Sequence, residues 1–296
     1  MTTQTLSRVA VLALLTACTG SSYNQGGFSD GDDGSDGADG TADGSDGVGD
    51  GEDGSSDGAD GTEPTACTHA YHPIHESGWT KTFAATYSGN SGTATEEGLG
   101  PVAGEEDVYL YRDTITTGTD GYSVEVRVGC DYDGEGMFVL GWDGDYTMTV
   151  LGLFPLPGTV KSTLNPHRKY LPPEYAVDNA GSWQFDYTSN MEWTMEMEGG
   201  DTGVSPATLT YSGTYSELGF EAYTLPTGET VQAYKLINEY TSSGDLFGAP
   251  IPQEGYIEQW WVKGLGMVKE ISYDNADTST PLMTRTLSDY SGLVAE

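Results

Sequence analysis

The chain has 296 residues, with 46 Asp and Glu against 11 Lys and Arg and a net charge of −35. A surface this acidic repels nucleic acid and anionic lipid headgroups, which excludes a nucleic-acid-binding role and attachment to membranes through basic patches. The length leaves room for a real hydrophobic core in addition to non-globular segments.

The first element is a targeting segment. MTTQTLSR carries one positive charge, at Arg8, and is followed by the short apolar run VAVLALL and then Leu15-Thr16-Ala17-Cys18. A charged start, a short apolar stretch and a small-residue exit describe a secretory signal peptide. The apolar run is far shorter than the about 20 residues that a bilayer-spanning helix needs. The ending resembles the bacterial lipobox, Leu-x-Ala-Cys. That resemblance implies cleavage after residue 17 and acylation of Cys18, with two or more chains giving a firm membrane hold. Thr19 rather than Asp follows the cysteine, which by the same resemblance implies the outer membrane.

Residues 18–66 are expected to be the lipidated cysteine and a disordered tether. Asp30 to Gly61 reads DGDDGSDGADGTADGSDGVGDGEDGSSDGADG, without a Lys, an Arg or an aromatic residue. Such a stretch buries too little apolar surface to offset the entropy of ordering it. Repeated Asp-Gly also suits calcium, which takes several oxygen ligands. The spacing is irregular, however, and a closing Glu at fixed distance is missing, so a solvated acidic tether is the reading adopted. As a flexible coil it spans roughly 40 Å.

From Cys67 to Glu296 the text becomes rich in Tyr, Trp, Thr and Val. Period-two alternation predicts strands at 79–87, 108–112, 124–128, 137–142, 146–154, 207–215, 219–225, 230–241, 256–263, 267–273 and 281–289. Trp183, Phe185 and Tyr187 alternate with polar residues, as do Met191, Trp193, Met195 and Met197, predicting one or two further strands. Asp-Gly at 120–121 and 143–144 predicts hairpin turns. No helical period follows the signal peptide. Residues 67–296 are therefore expected to form an all-β, antiparallel domain, possibly of two related halves.

Candidate chemistry is sparse. Cys67 and Cys130, an even pair in an exported chain, predict one disulfide. His69, His72 and His75 lie three apart in CTHAYHPIHE, and imidazoles suit zinc or copper. The spacing lacks the two separated ligand pairs of a structural zinc site, so an exposed segment leading into the first strand is the simpler expectation and no metal is assigned. CDYDGEGM, 130–137, has the acidic start of a calcium loop, but Trp142 stands where its closing Glu belongs, which leaves a hairpin turn. H-E-x-x-H and the P-loop are absent, and no carboxylate pair stands out from so many. The chain is read as a non-enzyme with no cofactor.

Four stretches carry a resemblance: YHPIHESGWTKTFAATY (71–87), YLPPEYAVDNAGSWQFDY (170–187), GFEAYTLPTGETVQAYKLINEY (219–240) and QWWVKGLGMVKEISY (259–273). Their order resembles that of uncharacterised bacterial outer-membrane lipoproteins. The resemblance implies a strongly curved antiparallel sheet, like the open half-barrels of the Lol-type carriers. A concave face of that kind offers an apolar groove, for which Trp183, Phe185, Tyr187, Trp193, Trp260 and Trp261 are the candidate lining, with the 155–182 connection folded over its mouth. The functional expectation is a lipid-anchored cell-envelope protein that binds an apolar ligand or an envelope partner. The alternative is a structural or surface-interaction lipoprotein without a small-molecule site.

Overall fold

The computed structural model describes residues 69–87, 89–118, 120–130, 136–150, 154–196, 202–246, 249–250, 253–273 and 280–296. The expected signal peptide, Cys18, the expected tether and Cys67 lie outside the described residues.

The strands are β1 (Ser77–Tyr87), β2 (Asn90–Pro101), β3 (Val108–Thr117), β4 (Asp120–Cys130), β5 (Met137–Val150), β6 (Phe154–Leu171), β7 (Ser182–Glu196), β8 (Thr202–Thr224), β9 (Thr230–Leu246), β10 (Ala249–Pro250), β11 (Gln253–Val262), β12 (Gly266–Tyr273) and β13 (Met283–Ser291). Apart from β10, a two-residue addition to the end of β9, each pairs antiparallel with its neighbours in sequence order. β1 also pairs with β13, from Thr80↔Ser291 to Tyr87↔Met283. Twelve strands thus close into an up-and-down barrel with no free edge. Among the described residues the helical structure is one turn of 3-10 helix, Glu174–Ala176. The all-β reading holds, and the strong curvature expected of the sheet continues to full closure.

The alternation that predicted the strands sets inside against outside. Along β7, Phe185, Tyr187, Met191 and Trp193 are buried, while Gln184, Asp186, Asn190 and Glu192 are exposed. Along β2, Ser91, Thr93 and Thr95 face water. Along these two strands the outer face is polar, unlike the apolar band about 25 Å tall that a membrane-crossing barrel presents to lipid. A ring of twelve strands is wider than the eight whose side chains just fill the interior, so long side chains are needed within. Tyrosine and tryptophan supply them. Trp183 stacks on its cross-strand partner Tyr215 (5.2 Å, 14°), and Tyr187 stacks on Tyr211 (4.8 Å, 14°). Offset aromatic pairs of this kind stabilise a sheet beyond their buried area.

Three expectations are corrected. Asp143-Gly144 is no hairpin turn, because β5 runs straight through it. Gly144 lies so close to β4 that a Cβ there would sit 2.1 Å from the Ser123 carbonyl oxygen. The expected strands 207–215 and 219–225 merge into one, β8, which ends at Thr224 and has its irregularity between Glu217 and Phe220, where Gly219 takes φ +79°. Most of the 155–182 connection is wall rather than cover, since residues 154–171 are a stave of the barrel. Prolines had marked it as a loop. Pro155 and Pro157 sit where β6 pairs with β5 alone, as its pairing with β7 begins only at Gly158. Pro166 lies in a gap of the β5 ladder, between Thr163 and Arg168, just past the last β7 partner, Asn165. A missing N–H costs least where one side of a strand carries no ladder.

Candidate functional site

What closes one end of the barrel is the histidine segment. His72 N–H donates to the His69 carbonyl (2.8 Å), and Ile74 N–H to that of His72 (2.8 Å), which folds residues 69–74 into a tight turn. Gly264 N–H, in the β11–β12 turn, donates to the Ala70 carbonyl (2.7 Å), and Ala70 N–H donates to Glu174 Oε2 (3.1 Å). Trp79 Nε1–H donates to the Pro73 carbonyl (2.8 Å). Ile74, fully buried, is the apolar tip. The segment is a plug rather than the exposed lead-in expected from its sequence.

The three histidines do not converge. His75 is exposed beside Glu76, at 3.6 Å. His69 Nδ1 accepts from Tyr71 N–H (3.2 Å), so its Nε2–H is free to donate to the Pro172 carbonyl (2.9 Å). His72 lies among Tyr111, Tyr170 and Trp261, with ring centroids 5.6, 5.7 and 5.9 Å away. Among the described residues no three His, Cys, Asp or Glu side chains are grouped to hold a metal. Burial holds both imidazoles neutral: it lowers His69, and it lowers His72 further, with the Lys81 charge acting in the same direction.

This has a measurable consequence. Below pH about 6.5 the unfolded chain protonates these histidines while the folded plug resists. The unfolded state then binds more protons, so their contribution is present above that pH and is lost as pH falls. Urea midpoints are expected to drop from pH 7 to 5, more shallowly in His72→Phe. Equal slopes in the two proteins would contradict this placement of His72.

Beneath the plug lies a polar interior. Lys81 Nζ meets Glu96 Oε2 at 2.5 Å and donates to the Met267 carbonyl at 3.0 Å. Arg285 grips Asp113 with two bonds, Nη1–Oδ1 3.1 Å and Nη2–Oδ2 2.9 Å, and Tyr122 donates to the same carboxylate at 3.0 Å. Gln259 Nε2–H donates to Glu270 Oε2 at 2.7 Å, and burial raises the Glu270 carboxyl above its ordinary value. Arg168 lies over the Tyr187 ring, 6.0 Å from its centroid. These groups surround a cavity of about 50 Å³. One water requires roughly 10–15 Å³ of such space, so the cavity holds about four waters and no acyl chain.

The residues expected to line one apolar groove are dispersed. Phe185, Tyr187 and Trp193 are packed inside the wall, and Trp183 is half-buried against Tyr215. Trp261 faces the cavity. Trp260, its neighbour, points outward yet is 3% exposed, clamped by Lys235 and Lys269 at 4.5 and 4.1 Å from the ring centroid while its indole N–H donates to Glu221. Cys130 ends β4, its Sγ 3.4 Å from Met137 Sδ, and its expected partner Cys67 is outside the described residues. Sequence reasoning missed the interior ion pairs. Lys81, Glu96, Asp113, Arg285 and Glu270 each occupy an inward position of a strand, and that misplaced polarity was the available signal.

The class so defined is a closed antiparallel β-barrel, aromatic-packed, plugged at one end and charged around a small inner cavity. No family model and no curated protein matches the chain. Among solved structures it is similar to a candidate lipoprotein from Parabacteroides distasonis ATCC 8503, at 12% identity over 75% of this chain and 98% of that one, with a TM-score of 0.37. It is also similar to a candidate exported protein with a YmcC-like fold from Bacteroides fragilis NCTC 9343, at 11% identity over 73% and 96% of the two chains, with a TM-score of 0.30. Likenesses of this size speak to neither activity nor ligand.

Proposed function

We propose that the protein is a lipid-anchored cell-envelope protein, non-enzymatic, that presents a rigid barrel to an envelope or surface partner from the end of an acidic tether. The observation that carries this reading is the filled barrel with a polar outer wall. Among the described residues its inside is occupied by its own aromatic side chains and by the ion pairs Lys81–Glu96 and Arg285–Asp113, around a cavity too small for a lipid tail. Its outside suits water rather than bilayer. Of the two readings the sequence allowed, the structural or surface-interaction one is thereby favoured over carriage of an apolar ligand. The lipobox-like Leu15-Thr16-Ala17-Cys18 supports anchoring at the outer membrane.

Fractionation tests the anchor. Cys18→Ser is expected to move the protein from the membrane pellet to the soluble fraction, and a variant that stays with the membrane would overturn the anchoring. A Cys67–Cys130 bridge would tie the plug's leading end to the end of β4. Closing a loop of about 60 residues is worth on the order of 4 kcal/mol. Intact-mass analysis of exported protein is expected to show both thiols oxidised to each other, and two alkylatable thiols would rule the bridge out.

A further inference from the structure

Around the inner cavity three cations, Lys81, Arg168 and Arg285, face three carboxylates, Glu96, Asp113 and Glu270, but they do not all pair. Lys81 is matched by Glu96, and Arg285 by Asp113. Arg168 has no carboxylate within ion-pair distance among the described residues. Its ionisable neighbours are instead the phenols of Tyr215, Tyr187 and Tyr111. A guanidinium keeps its charge at every accessible pH, and burying one without a counter-charge is costly. Arg168 is 9% exposed, and its Nε–H finds no partner in the protein. Around the same cavity, the Tyr170 hydroxyl, Trp261 Nε1–H and Arg285 Nε–H are also buried and without a protein partner. Indole and guanidinium nitrogens only donate, so three of these four groups call for an acceptor, and the fourth can supply a proton to one. Unmade buried hydrogen bonds of this kind are rare in native proteins and mark a place where something else bonds.

We infer that the cavity binds a small oxyanion, a carboxylate or phosphate group the size of acetate or inorganic phosphate, with Arg168 as its charge partner and Tyr170 and Trp261 as hydrogen-bond donors. The volume agrees: 50 Å³ accepts about four water-sized atoms, enough for such a group and too little for a sugar ring or an acyl chain. The unpartnered Oε1 of Glu270 faces the same cavity. Burial raises the Glu270 carboxyl above its ordinary value, against the Arg285 charge and the Gln259 hydrogen bond, which lower it. The site lies under the plug, since His72 lines the cavity and packs on both Tyr170 and Trp261. The inference stands apart from the anchoring and from the choice of partner.

Thermal unfolding of the purified full chain tests it. The protein is held in chloride buffer and titrated at constant ionic strength with acetate in one arm and phosphate in the other, which separates a carboxylate ligand from a phosphate one. At least one arm is expected to raise the melting temperature saturably above the chloride control and to change tryptophan fluorescence through Trp261. Arg168→Met, which fills the same space without charge, is expected to weaken the effect about tenfold or more. If Arg168→Met does not fold by circular dichroism, Tyr170→Phe serves in its place. It keeps the ring that packs on His72, and its affinity is expected to fall several-fold. No rise in either arm, or an equal rise in wild type and in the folded variant, would overturn the inference.

Discussion

Asp113→Ala is expected to lower the unfolding free energy by about 3–5 kcal/mol, read from urea denaturation followed by tryptophan fluorescence. Arg285 is 1% exposed, and its two bonds to Asp113 are its main compensation inside the barrel. Taking away the carboxylate leaves a buried guanidinium without its bidentate partner. The Tyr122 hydroxyl loses its acceptor in the same step. The double variant Asp113→Leu/Arg285→Met separates the value of the pair from the cost of orphaning one partner. Replacing both charges by apolar groups of similar size is expected to leave stability near that of wild type, because desolvation of two buried ions roughly offsets their attraction. A double variant as unstable as Asp113→Ala would show that the pair itself holds β3 to β13 across the barrel.

Trp193→Ala should have a comparable effect, about 3–5 kcal/mol, through the cavity it leaves. Trp193 is 1% exposed and meets Tyr146 edge to face at 5.1 Å. Tyr146 in turn lies over Gly158, whose absent side chain makes the contact possible: a Cβ there would stand 2.5 Å from the phenol oxygen. Three adjacent strands, β5, β6 and β7, are locked by this arrangement. Burial pushes the Tyr146 phenol up to about 12, so in an alkaline absorbance titration it should ionise well after exposed tyrosines. In Trp193→Ala that late ionisation is expected to move toward the ordinary value of 10 as the site opens to water. Retention of both stability and the late titration would contradict the packing.

These cases also show how much of the fold could be read in advance. Strand identity was legible wherever a wall residue alternates with an interior one, as in Trp183-Gln184-Phe185-Asp186-Tyr187. Closure was not. Lys81 pairs with Tyr290 across a barrel seam joined by no local signal, because nothing in either segment names the other. Glycine and proline misled where they mark close packing or an unpaired ladder side rather than a turn, at Gly144, Gly219, Pro155 and Pro166. The histidine spacing was visible, but its role was not. A turn that buries His72 among Tyr111, Tyr170 and Trp261 is built from four distant parts of the chain. The interior charges were hidden by abundance: with 46 acidic residues, Asp113 and Glu96 look like the rest until their register places them inside.

The central claim is that the barrel is closed and, among the described residues, filled around a small polar space. Native mass spectrometry of the full chain carrying Cys18→Ser tests it most directly. The account predicts the mass of the polypeptide, with at most a small anion of about a hundred daltons or less retained. A co-purifying lipid or other apolar ligand of several hundred daltons, released on denaturation, would contradict it.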